Sequence, residues 1–275
     1  MNELALFAGA GGGILGGKLL GWRTVCAVEW EPYPASVLVA RQNDKILPPF
    51  PIWDDVQTFD GKPWRGIVDV ISGGFPCQDI SSAGKGAGID GERSGMWREM
   101  ARIICEVEPR FVFVENSPML TSRGLGRVLG DLSSMGFDAA WGVLGAADVG
   151  ANHQRDRIWI VATNVPYASG KRHEFTEHEI RTRWNSVEFG GQDISDSDLP
   201  QQQGGGVSIG IQKEYSFAGN SCWWETEPNL GRVADGVDAR VDRLKAIGNG
   251  QVPLCAATAW KILSKNVTDA RLGKC

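Results

Sequence analysis

An α/β fold is predicted, a parallel sheet wrapped by helices on both faces. Short apolar runs alternate with helix-length segments through the first 160 residues. Several of those runs end in glycine, acidic or cysteine clusters, as strands do where a ligand crevice opens beyond their carboxyl ends. The 275 residues are 42% hydrophobic and 22% charged, which suits a chain with a substantial core, excludes a coiled coil, a collagen or a disulfide miniprotein, and argues against wholesale disorder.

In chain order, the predicted strands are Leu4–Phe7, Thr24–Val28, Val68–Ser72, Phe111–Glu115, Asp138–Val143 and Arg157–Ala162. The predicted helices are Gly13–Leu20, Pro34–Gln42, Met96–Glu108 and Leu125–Met135, with spacings that suit crossovers. In the third helix Met96, Met100, Ile103, Ile104 and Val107 share one face. From about Val165 to Asn229 the texture changes: residues 201–206 are low-complexity and no long apolar period survives. A final amphipathic helix, Pro253–Leu263, follows Gly248-Asn249-Gly250, so the chain is expected to return to its first domain. The division expected is 1–163, 164–230 as a small inserted module, and 231–275 completing the first.

Twenty-eight Lys and Arg against thirty-three Asp and Glu leave a net charge of −5, so bulk charge does not point to nucleic acid or an anionic membrane. Six cysteines share no C-x-x-C spacing, which reads as reduced thiols in a cytoplasm. The stretch Leu4–Trp22 carries seven glycines and Lys18 and lacks a basic leader, so it is not read as a signal peptide. No run approaches the roughly 18 apolar residues that a membrane span needs. His173 and His178 do not share a helix face and have no cysteine partners, so no metal is expected.

Four features carry chemistry. Residues 4–13 read as a strand running into a glycine-rich turn and a helix, and the next strand ends in Glu29. Glycines let backbone approach a nucleotide-like ligand, and an acid at that point takes ribose hydroxyls. Gly11, Gly13 and Gly16 also satisfy G-x-G-x-x-G, so a nicotinamide cofactor stays open, as does a turn with no ligand. Cys77, in Gly73-Gly-Phe-Pro-Cys-Gln, follows an apolar strand directly and suits a nucleophile; the bland reading is a buried thiol, which Pro76 and Gln78 disfavour. Glu115 ends the strand Phe111–Glu115, where apolar neighbours would raise its pKa; the alternative is a capping or salt-bridging acid. Arg155 and Arg157 project to one side and suit an anion or carbonyl oxygen, or simply a solvated edge.

With these motifs in this order, over the first 163 residues and the last 45 or so, the chain resembles the DNA cytosine-5 methyltransferases of the bacterial and phage modification type. The resemblance implies a Rossmann-like methyltransferase sheet with helices on both faces and a small target-recognition module. It implies S-adenosylmethionine held by Phe7, Ala8, Gly9, Ala10, Gly11, Gly12, Glu29, Trp30, Asp55 and Asn249. Cys77 would be the nucleophile, and Glu115, Arg155 and Arg157 would hold the base. Chemistry agrees: carbon 5 of cytosine attacks a methyl sulfonium only after a thiolate adds to carbon 6. An acid at N3 and a guanidinium at O2 then steady the charge, with Arg155 steadying Glu115 or a phosphate.

The base must leave the duplex, so the glycine-rich Ser81–Ser94 is expected as a lid, the alternative being a plain loop. Gln78, Ser81, Lys85 and Arg93 are the expected DNA contacts. The resemblance also implies a monomer on double-stranded DNA in the cytoplasm of a bacterial or phage-infected cell, with three roles left open: partner of a cognate restriction endonuclease in the same system, phage self-protection, or orphan regulator. The same chemistry on RNA and a DNA-binding protein with a dead site are the alternatives. Departures from the family pattern are Ser117, His153, Gly250 and Gln251. Trp223-Trp224 read as a wedge or a clasp. Arg232, Arg240, Arg243 and Lys245 read as phosphate contacts or, with Asp235, Asp238 and Asp242 among them, as salt-bridged surface.

Overall fold

In the computed structural model, which describes residues 1–76, 95–164 and 240–271, the apolar runs become seven strands. These are β1 (Asn2–Leu6), β2 (Arg23–Val28), β3 (Ile52–Trp53), β4 (Val70–Gly73), β5 (Phe111–Asn116), β6 (Phe137–Leu144) and β7 (Arg157–Asn164). The helices are α1 (Gly12–Leu19), α2 (Pro32–Asn43), α3 (Met96–Val107), α4 (Leu120–Arg123), α5 (Leu125–Ser134), α6 (Arg240–Asn249) and α7 (Pro253–Arg271). The described residues belong to one compact unit. The expected recognition module, residues 164–230, lies outside them apart from Asn164.

The sheet runs β3-β2-β1-β4-β5-β7-β6. Its first five strands are parallel, but β7 is antiparallel to both β5 and β6. The all-parallel expectation is therefore corrected to a mixed sheet. Residues 145–156 join β6 to β7 with only a single 3-10 turn, Ala147–Val149, and a parallel pairing would need a full crossover element there. Chain direction alone decides this, and apolar periodicity does not encode it.

Alternation along the strands sends side chains to two helical layers. On one face Val70, Phe111, Phe113, Trp159 and Val161 pack with Trp22 and with Cys255, Ala256, Ala259, Trp260 and Leu263 of α7. Nearby, Ala5 and Ala27 pack with Ile14 of α1 and Leu38 of α2. The alternate residues Ile71, Val112, Val114, Ile158 and Ile160 are equally buried and belong to the opposite face. The strongly amphipathic α3 buries Trp97, Met100, Ala101, Ile103, Ile104 and Val107. It stops one residue short of prediction because Glu108 adopts a left-handed φ of 51° and Pro109 follows. At the other end of the chain, α7 runs to Arg271 rather than to Leu263.

A carboxyl group is built into this core. Glu3, the second residue of β1, is fully buried, and its carboxylate accepts from Thr24 Oγ1 at 2.7 Å and Ser72 Oγ at 2.6 Å. Those two bonds cross from β1 to its neighbours on either side and satisfy a group that would otherwise be costly to bury. Burial still pushes the Glu3 pKa up, against the two hydroxyl bonds.

Strand order reverses at β1 and β4: β2 and β3 lie to one side, β5 and β7 to the other. At such a reversal the carboxyl ends of the strands splay and leave a crevice.

Candidate active site

The crevice is a cavity of about 610 Å³. Phe7 follows β1, Glu29 and Trp30 follow β2, and Gly74, Phe75 and Pro76 follow β4. Glu115 and Asn116 end β5, Arg157 opens β7, and Lys245, Ala246, Gly248 and Asn249 come from α6. Each of these residues is therefore delivered by a strand tip or by the returning helix, while Pro34 of α2 and Met96 of α3 add to the lining.

Of the expected cofactor residues, Phe7, Gly9, Glu29, Trp30, Asp55 and Asn249 line the cavity. Ala8, Ala10, Gly11 and Gly12 are not part of its wall. Gly11 caps α1 with a left-handed φ of 83°, a conformation that glycine adopts without strain. A Cβ there would also lie 2.7 Å from Leu38 Cδ2. A Cβ at Gly12 would collide with the backbone carbonyl of Gln251. In this fold the glycines of the G-x-G-x-x-G match let chain segments approach one another.

Glu29 has both oxygens engaged: Oε2 accepts from the Gly9 amide at 2.6 Å and Oε1 from the Glu31 amide at 2.8 Å. It thereby clamps the turn after β1 to the start of α2. Burial raises its pKa, opposed by those backbone bonds. A carboxylate has about four acceptor positions, so further donors from a ligand can still be met. Phe7 holds φ at 52°, a region that an L-residue occupies only under constraint and often at a functional site. Trp30 stands 71% exposed at the cavity. Asp55 holds its own turn by accepting from the Gln57 amide at 2.9 Å.

At the opposite end lies Glu115. Its Oε1 meets Arg157 Nε at 2.9 Å, and its Oε2 accepts from Gln251 Nε2 at 3.3 Å. Burial raises the Glu115 pKa, against the charges of Arg157 and then Arg155 and the Gln251 bond. Pairing in the sheet sets the geometry, since Glu115 lies opposite Trp159, two residues along β7 from Arg157. The next residue, Asn116, is buried and donates to the Phe75 carbonyl at 3.1 Å, so it ties the Gly74–Pro76 loop to β5. Sequence inspection passed over Asn116, although a polar residue ending an apolar strand was a usable signal.

Arg155 turns to a different task. Its Nη2 donates to the carbonyls of Gly248 at 2.5 Å and Gly250 at 2.7 Å. It therefore holds the turn that carries Asn249, and its charge reaches Glu115. Lys245 forms an ion pair with Glu31 at 2.7 Å, which favours the salt-bridged reading of that stretch. Ser117, one of the departures, lines the cavity. Cys77, Gln78, Ser81, Lys85 and Arg93, the proposed lid, His173, His178, Trp223, Trp224 and Arg232 lie outside the described residues. Among the described residues no cluster of His, Cys, Asp or Glu could hold a metal ion, and no helix is long and apolar enough to cross a membrane.

Comparison with known proteins adds an independent line. The family model of C-5 cytosine-specific DNA methylases matches residues 1–228. Type II methyltransferase M.Eco47II of Escherichia coli is 32% identical over 212 residues, covering 73% of this chain and 48% of that protein. Type II methyltransferase M.NgoBI of Neisseria gonorrhoeae is 33% identical over 172 residues, 60% of this chain and 52% of that protein. The chain thus spans about half the length of these relatives. Among solved structures, the Entamoeba histolytica methyltransferase EhMeth aligns with a TM-score of 0.51 over 64% of this chain and 57% of its own. At 16% identity that likeness is one of fold.

Proposed function

The chain belongs to the C-5 cytosine-specific DNA methylase family, and from that premise we propose that it transfers a methyl group from S-adenosylmethionine to carbon 5 of a cytosine flipped out of duplex DNA. The observation that carries this reading is the Glu115–Arg157 pair at one end of a cavity whose other end offers Trp30, Glu29, Asp55 and Asn249.

The cavity volume of about 610 Å³ falls in the range of small-molecule sites, and the donor set suits a nucleoside. The exposed indole of Trp30 suits an adenine ring, Glu29 the ribose hydroxyls, and Asp55 and Asn249 the remaining polar groups. Phe7 and Gly9 complete that wall, while Ala8, Ala10, Gly11 and Gly12 shape it from behind. Bound there, S-adenosylmethionine supplies an electrophilic methyl group.

The chain's own residues then divide the work on the base. Cys77 directly follows Pro76, a lining residue, and as thiolate forms a bond from sulfur to carbon 6. The electron pair of the carbon 5–carbon 6 double bond moves through the ring toward N3. Glu115, kept protonated nearer neutrality by burial, gives a proton at N3, and Arg157 donates to O2, so the adduct becomes a neutral enamine. After carbon 5 is methylated, a base removes its proton, the double bond re-forms, the Cys77 sulfur leaves as thiolate and N3 returns its proton to Glu115. Arg155 serves this sequence through the Gly248–Gly250 turn and through its charge on Glu115.

Around this centre, Gln78, Ser81, Lys85 and Arg93 contact the DNA, residues 164–230 read its sequence, and residues 231–275 complete the catalytic domain. On this reading the protein works as a monomer in the cytoplasm, and the type II methyltransferases it is similar to support a DNA-modification role. The test is covalent trapping on duplex DNA carrying 5-fluorocytosine, with Cys77→Ser as control and matched RNA as a second substrate. A trapped DNA complex that the serine variant cannot form is expected. Trapping by that variant, or on RNA alone, would overturn the proposal.

A further inference from the structure

The return segment reaches the acid itself. Gln251 lies between α6 and α7, 136 residues from Glu115 in sequence, yet its Nε2 stands 3.3 Å from Glu115 Oε2. Two glycines clear its path. A Cβ at Gly13 would lie 2.5 Å from Gln251 Oε1, and one at Gly74 would lie 3.1 Å from Gln251 Nε2 and would collide with Glu115 Oε2. The Gln251 backbone meanwhile sits against Gly12 so closely that no side chain fits between them. The glutamine is thus seated on the start of α1, crosses the end of β4 and touches β5.

We propose that Gln251 is a positioning residue for Glu115, orienting its carboxyl group toward the base only while the return segment is docked on α1. This rests on the reading of Glu115 as the acid at N3. The terminal torsion of a glutamate is broad, with no strong preference of its own, so the Arg157 bond to Oε1 leaves the carboxyl plane free to swing. A second bond on Oε2 fixes that plane. An amide N–H only donates, so it meets a lone pair, and the acid's proton must occupy another direction. Arg157 on β7 and Arg155 just before it are the charged groups that act on Glu115 among the described residues, and Gln251 is neutral. Removing its bond therefore leaves both charges in place.

The experiment is single-turnover methyl transfer across pH for Gln251→Met, which keeps the length and loses the donor. The rate constant is expected to fall roughly tenfold, as for a modest misplacement of a catalytic group, with KM for DNA and cofactor nearly unchanged. The alkaline limb of the profile moves up, because a bond favouring the carboxylate is gone. Gln251→Glu, of the same shape, places a second carboxyl beside the first and moves that limb further up; it decides the matter if the methionine variant does not fold. Native rate and an unmoved limb in the folded variant, beside an inactive Glu115→Gln, would overturn the positioning role alone. Full activity of Glu115→Gln would instead overturn the acid on which it rests.

Discussion

Replacing Arg155 by alanine tests how the turn carrying Asn249 is held. Two bonds are lost, to the carbonyls of Gly248 at 2.5 Å and Gly250 at 2.7 Å. A hydrogen bond from a charged donor contributes about 1.5–3 kcal/mol, but Gly248 is exposed, and water replaces much of that bond. A net loss of about 2 kcal/mol remains. If half of it is recovered when cofactor orders the turn, S-adenosylmethionine binding weakens by roughly fivefold, and by up to about thirtyfold if all of it is. Titration calorimetry with the cofactor, in parallel with thermal unfolding, reads both parts. Arg155→Lys keeps a positive charge beside Glu115 but has a shorter reach to the two carbonyls, so it should restore the pH profile more fully than the affinity. An alanine variant with native cofactor affinity and native melting temperature would refute the reasoning, because the two bonds would then hold nothing that matters.

Other substitutions probe the core and the site. Burial raises the Glu3 pKa above its ordinary 4.5. Its contribution to stability is therefore complete below that pH and lost as pH rises through the folded value. Glu3→Gln removes this loss, and its melting temperature should decline less between pH 4.5 and neutrality than that of the native chain; parallel declines would contradict this. Trp260 is 7% exposed and lies edge-on to Trp22, Phe111 and Phe113 at 4.6, 5.3 and 5.4 Å. Trp260→Ala should cost about 3–5 kcal/mol in denaturant unfolding, and a loss under about 1 kcal/mol would mean that α7 is not anchored there. Gly74→Ala sets a methyl group against Glu115 Oε2 and should lower methyl transfer by roughly a hundredfold with secondary structure intact. Gly126→Ala, which meets nothing within 4 Å, serves as its silent control. The Lys245–Glu31 pair is exposed on both sides, so Lys245→Ala should change stability by at most about 1 kcal/mol.

Local pattern was enough for most of the scaffold. Alternating apolar runs foretold β1, β2, β4 and β5, because a strand buried on both faces must be apolar along its length. The one-sided periodicity of Met100, Ile103, Ile104 and Val107 foretold the face of α3 that is now buried. The short β3, with the half-exposed Trp53, offered no such run. For the site, chemistry-bearing residues at strand ends were readable because the ends of parallel strands are where a crevice opens. That rule identified Glu29 and Glu115, and both line the cavity.

Residue order therefore specified the elements, the family and the candidate groups, all of which depend on neighbours a few positions apart. Packing between distant segments specified the rest: the antiparallel course of β7, the grip of Arg155 on the Gly248–Gly250 turn, and the contact of Gln251 with Glu115. Each of these joins parts of the chain that only the folded backbone brings together. A glycine that clears space for a remote side chain looks, in a linear string, like any other glycine, since the atom it makes room for belongs to another element.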